Sequence, residues 1–103
     1  MPIEFDFIIA GAGSAGCVLA DKLSASGEYS VALVETGSSD KKFWIQTPIG
    51  YGITYTDPKV NWCFTAAPDS ALKNRSLYWP RGKVLGGSSS INALVYPRGQ
   101  MQD

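Results

Sequence analysis

The chain contains no histidine. Neither a Ser-His-Asp nor a Cys-His catalytic arrangement can be assembled from its residues, and the usual Cys and His ligands of a zinc site are not available. Cysteine is scarce as well. Cys17 and Cys63 have neither the spacing of a metal cluster nor that of a CxxC redox pair, so both are expected to be buried thiols, and no metal is expected. Net charge is missing too. Nine Lys and Arg balance nine Asp and Glu, which leaves no electrostatic footprint for nucleic acid or an anionic membrane surface and favours a small-molecule site. No apolar run reaches the roughly 18 residues needed to cross a bilayer. Glu4 and Asp6 stand where a secretory signal would carry basic residues, so a cytoplasmic location is expected. Internal repeats, charge runs and low-complexity tracts are also lacking.

What is present suits a folded α/β chain. Hydrophobic residues make up 45% of the sequence and charged residues only 17%, a balance that suits a buried α/β domain better than a disordered chain and leaves some apolar surface for a partner. The length of 103 residues allows one small domain, or part of a larger one, and is short for a complete nucleotide enzyme.

The first strand and its loop organise the chain. Ile3 to Ala10 is an apolar run without strict alternation, as expected of a parallel strand covered on both faces, with Asp6 near its start. It stops at Gly11-Ala12-Gly13-Ser14-Ala15-Gly16, a G-x-G-x-x-G turn, and resumes as a helix over Ser14 to Ser24 with Val18, Leu19 and Leu23 on one side. Ser24 to Gly27 ends that helix. Ser30 to Glu35 reads as a second buried strand, and the right-handed crossover rule sets it parallel to the first with Glu35 close to the glycine turn.

This pattern predicts a dinucleotide site. Gly11 permits the turn, Gly13 lets the backbone approach a pyrophosphate, and Gly16 lets helix and strand pack. The helix N-terminus offers free N–H groups to the phosphates. Glu35, 19 positions after Gly16, is placed to accept hydrogen bonds from an adenosine ribose and to repel a 2′-phosphate. The pattern favours NAD or FAD over NADP.

Beyond Glu35 the pattern is less regular. Thr36 to Asp40 is loop, and Lys41 to Tyr55 is aromatic but broken by Pro48, Gly50 and Gly52, which predicts a short helix or a packed irregular segment, with Tyr51 and Tyr55 as residues of a lid. Asn61 to Thr65 and Ser76 to Trp79 are two β-like runs able to pair. Trp44, Trp62 and Trp79 are expected in the core. The final stretch, Arg81 to Tyr96, begins as a glycine-rich loop and becomes helix-compatible after Gly87, with Ser88 or Ser89 as its cap. On residues alone, Gly86 to Ser90 is either a second N–H and hydroxyl surface for an anionic ligand or an ordinary flexible loop.

Taken together, GAGSAG, Glu35, Asn61-Trp62-x-Phe64 and RGKVLGGSSSIN resemble the N-terminal part of the glucose-methanol-choline (GMC) family of FAD-dependent oxidoreductases, in its choline- and alcohol-dehydrogenase-like branch. The resemblance spans nearly the whole chain. Gly82-Lys83-x-Leu85-Gly86-Gly87-Ser88-Ser89-x-Ile91-Asn92, followed by Tyr96 and Gly99, follows the family's first signature until the sequence stops just before its last position. The implied fold is a Rossmann-like FAD-binding βαβ unit. Residues 1–103 would form the N-terminal part of the FAD-binding domain of a larger two-domain protein, with the substrate domain outside them.

The resemblance also implies site residues. Gly11, Gly13, Ser14, Ala15 and Gly16 would hold the FAD pyrophosphate and Glu35 the adenosine ribose. Val84, Gly87 and Ser88 match the loop along the flavin side of the cofactor, and Asn92, Ala93, Leu94 and Val95 match the segment beside the isoalloxazine ring. Arg81 would anchor that loop, although for Arg81 and Lys83 a solvated loop charge reads equally well. Some choline-oxidising members bond their flavin through a histidine where Ile91 stands here, so FAD is expected to be non-covalent.

The reaction implied is oxidation of an alcohol CH–OH group, with hydride passing to flavin N5 while a base removes the hydroxyl proton. In the family that base is a histidine far downstream, so the remaining C-terminal polypeptide is expected as a partner and these residues are expected to supply FAD binding alone. A non-catalytic nucleotide-binding module and an NAD-dependent dehydrogenase are the competing readings.

Overall fold

In the computed structural model the described residues are 3–102; Met1, Pro2 and Asp103, which belong to the expected 1–103 unit, lie outside them. Phe7–Ala10 forms strand β1 and Val31–Val34 forms β2, paired in parallel with Phe7 opposite Val31 and Ala10 opposite Val34. Helix α1, Ser14–Ser24, crosses between them. This is the expected βαβ beginning, with strands shorter than the apolar runs.

Residues 3–6 form no strand pairing, because the ladder starts at a polar clasp. Ser30 donates both its amide and its hydroxyl to Asp6 Oδ2 at 2.7 Å, and the Asp6 amide donates to Ser30 Oγ at 3.0 Å. The carboxylate is satisfied there, so pairing begins one residue later with Phe7 N to Ser30 O at 3.2 Å.

The expectation that both faces of the strands are covered does not hold within these residues. Ile8 is 71% exposed and Val34 56%, and Val18 and Leu19 on α1 are also open. Apolar side chains that pattern like a buried sheet thus find no cover among the described residues, and the Cα radius of gyration is 17.4 Å where a closed domain of this length has about 13 Å. The buried cluster lies under the loops instead. Val60, Val84 and Ile91 pack together with Ile45 against them.

Lys41 to Tyr55 resolves into two single-turn helices, α2 at Phe43–Gln46 and α3 at Tyr51–Thr54, joined by a 3₁₀ turn at Pro48–Gly50. Gly50 is required by packing, because a Cβ there would collide with the Trp44 carbonyl. The two expected β-runs do pair, as a minimal antiparallel ladder of β3 (Phe64–Thr65) and β4 (Tyr78–Trp79) with Phe64 opposite Trp79.

Three side-chain expectations are corrected. The tryptophans are not core: Trp44, Trp62 and Trp79 are 42–45% exposed, each resting on a neighbour. Trp44 meets Phe43 edge-on, Trp62 stacks on Phe64 at 5.8 Å, and Arg81 lies 4.9 Å over Trp79. Both cysteines are free and half-buried rather than buried. The helix expected after Gly87 is one 3₁₀ turn, Gly87–Ser90, capped by neither Ser88 nor Ser89. Gly86 is its N-cap at φ 90°, Ser88 Oγ instead accepts the Gly82 amide, and Ser89 Oγ donates to the Gly86 carbonyl.

Candidate cofactor site

The glycine turn is built as a cradle. Gly11 takes φ 96°, which favours glycine, and its amide donates to Val34 O at 2.7 Å, continuing the strand pairing by one residue. A Cβ on Gly16 would collide with the Gly11 carbonyl, so α1 sits directly against the turn. Gly13 is different. Its φ of −80° suits any residue, and a Cβ built on it would meet nothing within 4 Å. Neither backbone strain nor packing requires glycine here, and the space outside Gly13 is open to a ligand.

Helix α1 has no side-chain cap at Gly13, and its first intrahelical bond runs from Cys17 N to Gly13 O at 2.9 Å. The amides of Gly13, Ser14, Ala15 and Gly16 therefore have no acceptor within the helix and stand at its positive end. Ser14 and Ala15 are exposed, so this end is open to an anion.

Glu35 follows directly from β2. Its Oε2 accepts the Ala12 amide at 2.7 Å and its Oε1 the Gly37 amide at 2.8 Å. Each carboxylate oxygen can accept a further bond, so donors of a ribose can be accommodated without breaking either. The carboxylate is thus first a clasp for the glycine turn.

The second glycine-rich loop docks on the first. The Gly86 amide donates to the Ala12 carbonyl at 2.7 Å, and Gly87, at φ 61°, lies so close that a Cβ would come within 2.9 Å of Gly13 Cα. Leu85 N donates to Ser38 O at 2.9 Å, and Gly37 passes against the Lys83–Val84 peptide. Gly11 to Gly16, Glu35, Gly87 and Ser88 are thereby gathered in one place. Val84 is fully buried with its side chain in the core cluster, so any ligand contact it makes runs through its main chain. The Arg81 guanidinium is taken up by Trp79 and, at 2.8 Å, by the Pro80 carbonyl. Lys83 Nζ lies 4.7 Å over Trp62, so each cation rests on an aromatic face, with Arg81 still exposed.

Asn92, Ala93, Leu94 and Val95 are not part of that junction. All four are exposed, and Asn92 and Leu94 line a separate cleft of about 260 Å³ whose other wall includes Asp40, Trp44, Tyr51 and Thr54. Asn92 Oδ1 accepts the Leu94 amide at 2.9 Å and holds Leu94 at φ 58°. Ser89 and Ser90 connect the two regions: both line the cleft, and both bond back into the glycine-rich loop, at Gly86 O and Leu85 O. Tyr51 thus lies in a cleft wall, whereas Tyr55 packs edge-on against Tyr78 at 5.0 Å.

The alternation of the aromatic run hides a buried residue that the sequence reading left without a role. Asn61 is 1% exposed, while Trp62 and Phe64 point outward. Its Oδ1 accepts the amides of Cys63 and Arg81, both at 2.9 Å, and its Nδ2 donates to Tyr55 O at 2.7 Å. A polar residue at an inward position of a two-residue alternation was the available signal.

Comparison with known proteins shows the family. The sequence model of the GMC oxidoreductase N-terminal region matches residues 5–103. The chain belongs to the GMC oxidoreductase family. It is 52% identical over 103 residues to an oxygen-dependent choline dehydrogenase of Photobacterium profundum, covering all of this chain and 18% of that protein. An alcohol dehydrogenase (acceptor) of Pseudomonas putida is 54% identical over 99 residues, covering 96% of this chain and 18% of that protein. Among solved structures, pyridoxine 4-oxidase from Mesorbium loti superposes with a TM-score of 0.83 at 30% identity, over 96% of this chain and 19% of that one. The chain thus spans about 18% of the length of the curated relatives it matches.

The GMC chain has two further properties among its described residues. No three of His, Cys, Asp and Glu come together as a metal site, and no helix is long and apolar enough to cross a membrane.

Proposed function

We propose that this chain is the N-terminal, FAD-binding portion of a GMC oxidoreductase that oxidises the CH–OH group of a small alcohol, of choline, aliphatic, aryl or pyridoxine type. One observation carries the reading: two glycine-rich loops are stitched together at Ala12–Gly86 and Gly13–Gly87 with the Glu35 carboxylate bonded into the same turn. An adenine dinucleotide pyrophosphate alone needs the first loop. A second loop docked on it, leading to a cleft, suits a cofactor that is longer than its pyrophosphate end.

The residues fit FAD. The open amides of Gly13 to Gly16 would bind the pyrophosphate, Glu35 the ribose hydroxyls, and the main chain around Val84, Gly87 and Ser88 the stretch towards the flavin. Asn92 to Val95, two of them in the cleft wall, would lie beside the ring. Bound there, FAD supplies a hydride acceptor for the carbinol C–H. The chain's own residues bind and orient; they hold no histidine to take the hydroxyl proton. That base would come from the remaining polypeptide, which is also the proposed cover for the open faces of β1, β2 and α1. Ile91, 7% exposed in the core cluster, has a hydrocarbon side chain that can form no bond to a flavin, which supports a non-covalently held cofactor. The reading includes a cytoplasmic location, in keeping with two free thiols.

Absorbance of the purified protein tests the proposal. Flavin bands that pass into the supernatant on acid precipitation support it. Nicotinamide binding would favour a dehydrogenase of the other class, and an adenine nucleotide without flavin would favour a module with no redox chemistry.

A further inference from the structure

We infer that Asn61 is a positioning residue that ties the α3 wall of the cleft to Arg81 and, through Arg81, sets the seating of the second glycine-rich loop on the first. As to its ligand the inference rests on the proposed FAD site; as to its geometry it does not.

The argument begins with burial. Asn61 and Thr54 are the buried polar residues among those described, and no buried side-chain nitrogen or oxygen lacks a partner. Asn61 reaches in two directions. On one side Nδ2 donates to Tyr55 O at 2.7 Å and more weakly to Thr54 O at 3.4 Å and Tyr78 Oη at 3.3 Å, which holds the end of α3 and hence the wall carrying Tyr51 and Thr54. On the other side Oδ1 accepts the Arg81 amide at 2.9 Å.

From Arg81 the constraint passes along the main chain in two short steps. Trp62 N donates to Arg81 O at 2.8 Å and Lys83 N to Val60 O at 2.7 Å, so residues 60–62 and 81–83 run as an antiparallel pair with Asn61 opposite Gly82. Gly82 N then donates to Ser88 Oγ at 3.1 Å, and a Cβ on Gly82 would collide with Gly87 O. Gly87 is the residue in contact with Gly13, and Gly86 donates to Ala12. A displacement at Arg81 is therefore passed through Gly82 and Gly87 to Gly13 in the proposed pyrophosphate cradle. An isosteric apolar residue at 61 would leave the amides of Cys63 and Arg81 without their partner and the Tyr55 carbonyl with the Tyr78 hydroxyl alone.

Hydrogen exchange and FAD titration of the unsubstituted chain, Asn61→Ala and Tyr78→Phe test this. Tyr78→Phe removes one hydroxyl on the α3 side and leaves the bond from Arg81 to Oδ1 intact. In Asn61→Ala, exchange of the amides from Arg81 to Ser88 should rise about tenfold and FAD should bind about tenfold more weakly, while exchange in β1 and β2 is unchanged. In Tyr78→Phe both quantities should move less than about threefold. A uniform rise in exchange that includes β1 and β2, or equal effects from the two variants, would show a merely structural role and overturn the inference. Should Asn61→Ala fail to fold, Asn61→Ser is read by the same two measurements. If the unsubstituted chain takes up no FAD, the proposed function fails, and the exchange contrast alone decides the role of Asn61.

Discussion

Glu35 Oε2 accepts the Ala12 amide at 2.7 Å, joining the end of the second strand to the middle of the glycine turn. Its other oxygen holds Gly37, whose peptide neighbours Lys83 and Val84 of the second loop. The carboxylate therefore organises the cradle before any ribose arrives. Each of these bonds has a charged acceptor, worth about 1.5–3 kcal/mol. Glu35→Ala should lower unfolding stability by about 2–3 kcal/mol in urea denaturation, and Glu35→Gln by about half as much because its amide retains one acceptor. Both variants should also weaken FAD binding.

The Asp6–Ser30 clasp should mark the acid limb of stability. The amide of Ser30, then its hydroxyl, hold the Asp6 carboxyl below its ordinary value of 3.8. The folded form thus favours the ionised carboxylate. Its stabilising effect is complete above about pH 4, where the unfolded group is also ionised, and is lost as pH falls through the lower folded value. Comparing Ser30→Ala with the unsubstituted chain across pH 2–6, the stability difference should be constant at the upper end and shrink towards the acid end, as the unfolding midpoint in urea would show.

Tyr78 should mark the alkaline limb. The Cys63 side chain first, then loss of hydration, push its hydroxyl up from 10.0 to about 12, against the smaller opposite pull of the Asn61 amide. A raised value favours the neutral phenol in the fold, where it donates to Tyr55 O at 2.6 Å. That contribution is complete below about pH 10 and is lost as pH rises towards 12. Ultraviolet titration should show one tyrosine ionising well after the others, and Cys63→Ser should bring it back towards the ordinary value.

Local rules account for what was legible in these residues. The βαβ beginning, the parallel pairing and the meeting of Glu35 with the glycine turn follow from an apolar run, three glycines and a crossover of fixed hand. The pairing of β3 with β4 was equally local. Burial was not legible: Ile8 and Val34 have the pattern of a covered sheet, but their cover is not among residues 3–102. The tryptophans misled for a related reason, since Trp79 pairs with Phe64 in the short ladder and Trp62 stacks on Phe64, and both are more than two-fifths exposed. The split of the site into a loop junction and a cleft depends on where Gly86 and Leu94 adopt positive φ, which composition does not reveal.

Two glycines of the same turn should respond in opposite ways to one added methyl group. Gly16→Ala drives a Cβ into the Gly11 carbonyl, a backbone atom that cannot step aside without moving the turn. It should cost about 2–3 kcal/mol of stability and cofactor binding with it. Gly13→Ala meets no protein atom and keeps an ordinary φ of −80°, so thermal melting should change little, the gain of about 0.4–1 kcal/mol from a stiffer unfolded chain being offset by alanine's poorer fit to the N-cap of α1. Its methyl group, however, fills the space assigned to the pyrophosphate. Gly13→Ala should therefore melt like the unsubstituted chain yet bind FAD at least about tenfold more weakly, a loss of about 1.4 kcal/mol. Unchanged affinity in a well-folded Gly13→Ala chain would mean that no phosphate approaches this turn, and the proposed cofactor site would fall with it.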